Sequence, residues 1–265
     1  MTADAGPTDI VIRSADAAAR VSARGGRLTS LTVRGHEVLQ QGEPYGCFPM
    51  VPWCGRMRDG ILDFRGVRHE FVQDDPPHAL HGTARDHLWD VDAAADDSVL
   101  LRHHLRPWWP FDGTVTQTIT LAPGELVMSL RVSSETETFP VQAGWHPWFR
   151  RRLTTAPESA LRVDFRPQWQ EERGEDHLPT GERITPQDSP WDDCFGMPDG
   201  VDVALEWPGL LDLRIRSDAR WVVVFDHRPF ATCVEPQTGR PNGINTAPEV
   251  VAPGEDLLVT TTWTW

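Results

Sequence analysis

"GTVTQTITLAPGELVMSLRVSS", residues 113–134, decides the fold class. Val115, Ile119 and Leu121 fall at even spacing, an Ala-Pro-Gly triplet turns the chain, and Leu126, Met128, Leu130 and Val132 alternate again. A period of two with a turn between its halves predicts an antiparallel hairpin that buries one face. Shorter runs of the same character follow along the chain: "DIVIRS", "RLTSLTVRG", "LRVDFRP", "VDVALEW", "LDLRIRS", "RWVVVFD" and "DLLVTTTWTW". Each is bounded by Gly, Pro, Asp or Asn, which mark turns. Only "ADAAAR" near the start and "APESALR" near residue 160 read as helices, and both are short. The expectation is an all-β protein, a large antiparallel β-sandwich. The Pro-rich stretches "DDPPHALHG" and "DSPWDDCFG" read as long connections, where binding residues gather.

The 265 residues carry a net charge of −14, and all 25 basic residues are arginine. Without a lysine amine, Schiff-base aldolase, pyridoxal and phosphate-loop NTPase chemistry is excluded. The acidic balance argues against nucleic-acid binding, which needs a basic footprint, and favours a neutral ligand over a polyanion. Cys47, Cys54, Cys194 and Cys233 form no CxxC pair and read as reduced thiols. No apolar run approaches a membrane span, and the N-terminus lacks the pattern of a signal peptide. A cytoplasmic location with no membrane partner is expected, and oligomeric state is left open.

Several segments carry titratable groups in unusual settings. "GWHPWFRR" (144–151) puts His146 among tryptophans, where an imidazole is either a satisfied core group or a proton carrier. In "CVEPQTGRPNGIN", Glu235 ends a β-branched region, and burial there raises a carboxyl pKa toward useful basicity. "PWCGRMRDG" offers Arg56 and Arg58 beside a glycine; Arg56 could aim a planar fork of donors at a ligand oxygen. His78 and His81 in "DDPPHALHG" are three apart, but Pro76 and Pro77 oppose a helix there and no third metal ligand stands at a characteristic spacing. No metal is expected, and His81 is either a hydrogen-bond donor to a ligand hydroxyl or a structural group. Asp192 and Asp193 in "SPWDDCFG" should point to opposite sides of an extended segment, so that at most one faces a pocket.

Taken in order, "P…GRMRDG", "HALHG", "GWHPWF", "WDDCF" and "CVEPQTGRPNGIN" resemble the aldose 1-epimerase (galactose mutarotase) family, and its short bacterial branch in particular. The resemblance runs from about residue 25 to the C-terminus. It implies a galactose mutarotase-like supersandwich forming one domain over residues 1–265, a monosaccharide substrate and no cofactor. It also implies roles: His146 as general acid, Glu235 as general base, and His81, Arg56 and Asp192 as ligands of sugar hydroxyls. One departure is Gly55, where the family often has Asn, so a side-chain donor is missing from that corner.

Interconverting anomers needs a base for the anomeric hydroxyl and an acid for the ring oxygen. An imidazolium at His146 and a carboxylate at Glu235, on different sides of the sugar, are therefore expected. Three rival readings stay open: a non-catalytic carbohydrate-binding protein of this fold, a glycosidase using Asp192 and Glu235, and a sugar-phosphate mutarotase drawing on Arg56, Arg58 and the "FRRR" run at 149–152.

Overall fold

The computed structural model describes residues 9–154 and 159–265. The 113–134 segment forms the expected hairpin, Gly113–Ala122 against Glu125–Ser134, with Leu121 opposite Leu126 and Gly113 opposite Ser134. Its alternate residues are buried, from Val115 to Val132. The hairpin lies within an eight-stranded antiparallel sheet. Facing it is an eleven-stranded sheet whose central members are Cys47–Met50, Gly144–Arg150, Ala231–Gln237, Trp221–Phe225, Asp192–Gly196 and Trp169–Arg173, side by side in that order.

Strand alternation sorts "GWHPWF" between two environments. Trp145 and Phe149 are fully buried and face the second sheet: Trp145 Nε1 donates to Gln117 Oε1 (3.0 Å), and the Phe149 ring packs 5.0 Å from Trp263. His146 and Trp148 therefore project from the other face of the large sheet. Burying four large aromatic groups such as Trp145, Phe149, Trp207 and Trp263 fixes this strand by roughly 1.5–3 kcal/mol per side chain.

Two local expectations change. "ADAAAR" is mostly strand, Ala17–Ser22, because Ala17, Ala19 and Val21 bury one face against Arg27–Val33 and sheet pairing overrides alanine's helix propensity. "APESALR" lies partly outside the described residues, and its last residue, Arg162, begins a strand. The "WDDCFG" part of the second Pro-rich connection is also a strand, Asp192–Gly196, paired with Trp221–Phe225. No helix among the described residues is long and apolar enough to cross a membrane.

Candidate active site

One row of cross-strand neighbours makes the floor of a cleft. Phe48 opposes His146. The register that sets Gly144 against Gln237 and Trp148 against Cys233 places His146 opposite Glu235. Glu235 in turn opposes Val223, and Val223 opposes Cys194. A second row, two residues along, runs Trp148, Cys233, Phe225, Asp192. Apart from Cys233, both rows line a cavity of about 330 Å³, which is the size of a small-molecule site. Neighbouring strands are about 4.8 Å apart and residues rise about 3.3 Å along each, so Glu235 and Asp192, two strands and two residues apart, stand about 12 Å from each other at the backbone. A single pyranose ring fits that interval.

His146 and Glu235 are in direct contact, Nε2 to Oε1 at 3.2 Å, and are only 6% and 2% exposed. The imidazole is held between parallel rings, Phe48 at 4.8 Å on one side and Trp148 at 5.1 Å. Its Nδ1 has no hydrogen-bond partner among the described residues. Burial pushes Glu235 well above the usual carboxylate range; the Asp192 charge adds to the push and Arg56 opposes it. Burial likewise pushes His146 down to about 3, with Arg85 adding to the effect. Neutral forms are thus favoured on both groups, and one proton is shared between them. This alters the expected imidazolium and carboxylate at rest, but the proton count of the pair is the same. The expected placement on different sides of a sugar also changes, since the two groups are neighbours on one floor. Neighbours suffice, because the two oxygens of a hemiacetal are bonded to the same carbon.

His81 reaches the pair from the side, its ring centroid 4.7 Å from that of His146. Its backbone N–H donates to the Gly55 carbonyl (2.9 Å), and the Gly55 N–H donates to its Nδ1 (3.3 Å). With Nδ1 accepting, the neutral ring carries its proton on Nε2 and is a donor. Burial first, then repulsion from a protonated His146 and from the Arg85 guanidinium, hold its pKa well below the usual histidine value. Nitrogen and oxygen atoms of His81, His146 and Glu235 lie within 4.8 Å of one another, a spacing that would suit a metal ion. The protonated Nε2 of His81 makes this a set of hydrogen-bonding groups, because a metal ligand needs a bare nitrogen. His78 does not join them: its Nδ1 accepts from the Asp59 N–H (3.1 Å) and its Nε2 meets the Asp176 carbonyl (2.9 Å).

Gly55 has φ +66°, and a Cβ there would stand 2.9 Å from the Pro241 ring. The corner where Asn was missing is therefore filled by proline. Arg56 lines the cleft with its Nε on Asp75 (2.7 Å), and Asp192 lines it with its carboxylate on Arg173 (2.5 Å). Asp193 also borders the cavity, contrary to the strand-alternation argument. Its carboxylate accepts from the Asp192 N–H (3.1 Å) and lies 3.9 Å from Arg173 Nε, both contacts at the very start of the strand. All five expected site residues line the same cavity.

Sequence reasoning missed Asp75, Arg85, Glu171 and Arg173. Glu171 is 2% exposed and joins the Trp169 indole N–H (2.9 Å) to Arg240 (2.6 Å), which ties the "TGRPNG" loop after Glu235 to the sheet. Charged runs such as "QEERGED" look like solvated faces, and only the sheet pairing brings them inward.

The aldose 1-epimerase family model matches residues 9–240. The chain belongs to the aldose 1-epimerase family. Among solved structures, a putative aldose 1-epimerase from Escherichia coli K12 superposes with a TM-score of 0.83 at 20% identity, covering 98% of this chain and 99% of that one. A galactose mutarotase-like protein from Clostridium acetobutylicum gives 0.83 at 16% identity, over 97% and 94%. Galactose 1-epimerase from Lactobacillus acidophilus NCFM gives 0.78 at 15%, over 94% and 91%. At such identities the likeness to these structures is one of fold. No protein of curated function matches the chain. The all-β aldose epimerase fold agrees with the period-two reading of the sequence.

Proposed function

We propose that this family member is a mutarotase that interconverts the α and β anomers of an uncharged aldohexose, with His146 as general acid and Glu235 as general base. The observation that carries this reading is the 3.2 Å contact between His146 Nε2 and Glu235 Oε1 on a cleft floor. Such a pair can reach both oxygens of one anomeric carbon. A sugar set over the pair offers hydrogen bonds to the charged forms that burial disfavours, so the proton sits on His146 and Glu235 is ionised. Glu235 then takes the proton of the anomeric hydroxyl while His146 gives its own to the ring oxygen, and the C1–ring oxygen bond breaks to leave an open-chain aldehyde. After rotation about C1–C2, the C5 hydroxyl attacks the other face of C1. His146 takes back its proton, Glu235 returns the other, and the pair is restored. His81, Arg56 and Asp192 hold hydroxyls and fix the ring's orientation, while Trp148 and Phe225 give its C–H groups an apolar wall.

An uncharged sugar is supported over a sugar phosphate by the pairing of most cleft arginines with carboxylates, Arg228 being the one lining arginine without an ion pair among the described residues. Arg56 is paired with Asp75, Arg85 with Asp74 and Arg173 with Asp192. Arg58 pairs with Asp176, and Arg151 of the "FRRR" run pairs with Asp226.

Polarimetry on freshly dissolved α-glucose and α-galactose tests the reading. The native protein should accelerate the decay of rotation, and Glu235→Ala should return it to the spontaneous rate. A native protein that leaves the spontaneous rate unchanged is a binder. Release of an aryl aglycone from an aryl glycoside would identify a glycosidase.

A further inference from the structure

The "DDPP" turn, residues 74–77, does more than connect two segments. Its adjacent aspartates each hold one cleft arginine: Asp75 takes Arg56 Nε at 2.7 Å, and Asp74 takes Arg85 Nη2. Asp74 is itself fixed, since its other oxygen accepts from the Leu80 N–H (2.8 Å). The Arg85 side chain is 18% exposed, and its buried Nε makes no hydrogen bond among the described residues but lies 3.6 Å from a second carboxylate, that of Asp86. Its guanidinium carbon stands 5.8 Å from the centroid of Phe48, the ring stacked on His146. A second guanidinium, that of Arg27, lies 4.8 Å from the same centroid and donates to the Pro44 and Tyr45 carbonyls.

We propose that Arg85 is a positioning residue for proton transfer: held over Phe48 by Asp74, its charge loosens the grip of His146 on the proton that His146 must deliver. The inference rests on the mutarotase reading of the site. A hydroxyl-like ring oxygen is a weak base, so the acid that protonates it works better when its charged form is destabilised. A fixed cation beside the aromatic ring stacked on His146 does this through its charge. The groups facing His146 are few: Glu235 at 3.2 Å, the His81 ring at 4.7 Å, and the Phe48 and Trp148 faces. Arg27 stands closer to Phe48, but Arg85 is the one of the two that lines the cleft; both favour the uncharged imidazole. Glu235 acts in the opposite sense as an anion, so Arg85 offsets the partner that would otherwise hold the proton on His146.

The test compares native protein, Arg85→Gln and Arg85→Lys by the pH profile of kcat/KM in polarimetry and by the ¹⁵N shift of the His146 ring over the same pH range. The acid limb of the profile reports a second proton entering the pair, which leaves no base. With Arg85→Gln this limb and the His146 titration should both move up by about one pH unit, and kcat should fall about tenfold. Arg85→Lys should stay near native. A limb and a titration that do not move in Arg85→Gln, or a raised KM with unchanged kcat, would overturn the proposal. Should Arg85→Gln not fold, Asp74→Asn serves instead: removing the nearer of its two counterions, with Asp86 left in place, should move the titration down, and an unmoved or raised one is contrary. Absence of turnover in native protein would defeat the mutarotase reading alone, because the ring shift needs no turnover.

Discussion

Two histidines of this chain sit in similar company, and only one belongs to the cleft. His103 precedes "HLRPWW" and is 3% exposed among the rings of Trp89 (5.3 Å) and Trp108 (5.7 Å). His146, in "GWHPWF", is 6% exposed between Phe48 (4.8 Å) and Trp148 (5.1 Å). Each has one ring nitrogen without a partner among the described residues, and burial lowers both pKa values, to about 4 for His103 and about 3 for His146. Aromatic burial therefore does not distinguish a reactive histidine from a packed one. The difference lies across the strand: His146 faces the Glu235 carboxylate over a cavity, whereas His103 makes no ion pair among the described residues and lines no comparable cleft. On the proposed reading, a carboxylate at the same register on the next strand, with open space above both, is what makes His146 an acid–base group.

The sharpest way to break that comparison is to remove each group in turn. Glu235→Gln and His146→Gln should each lower kcat by about 10²–10⁴-fold in polarimetry, whereas His103→Gln should leave it within about twofold of native. Equal losses at positions 103 and 146 would show that packing, and not proton transfer, is being measured. On the opposite face of the His146 strand, Trp145→Ala should cost about 3–5 kcal/mol in urea unfolding through the cavity it leaves and the stranded Gln117 amide. The KM of the molecules that remain folded should be unchanged.

Acid stability separates the histidines differently. Between the ordinary values of 4.5 for glutamate and 6.5 for histidine, the unfolded chain holds one proton on the 146/235 pair, and the folded chain also holds one. The pair then adds no slope. His81 and His103, both lowered by burial, bind fewer protons folded than unfolded below about pH 6.5, so each withdraws stability as pH falls, by up to about 1.4 kcal/mol per pH unit. Urea midpoints from pH 7 to pH 5 should decline in native protein and decline less in His103→Leu; an unchanged slope in that variant would contradict the assignment. The smallest effect is expected at the far end of the cleft. Asp192→Asn should raise KM about tenfold with a lesser change in kcat, as Arg173 loses its partner and one sugar hydroxyl its acceptor.

Much of the fold was legible because a period of two is local: Val115 through Val132 declare their buried face without reference to the rest of the chain. Ala17–Ser22 was not, since alanine has no β-preference and only pairing with Arg27–Val33 makes it a strand. Within the candidate site, Glu235 stands out as a carboxylate in a β-branched run. Arg56, His81 and Asp192 were singled out mainly by family resemblance. Asp74, Asp75 and Arg85 could not be found from spacing, because their meaning lies in contacts between a turn and a cleft wall. Asp193 was misjudged because strand alternation was applied at the first residues of a strand, where Asp193 and Asp192 both approach Arg173.

The most direct measurement is the structure of Glu235→Gln with an aldohexose bound. The account predicts the anomeric oxygen within about 3 Å of the residue 235 side chain and the ring oxygen within about 3 Å of His146 Nε2. A sugar bound with its anomeric carbon toward Arg173 and Asp192, out of reach of both, would contradict it.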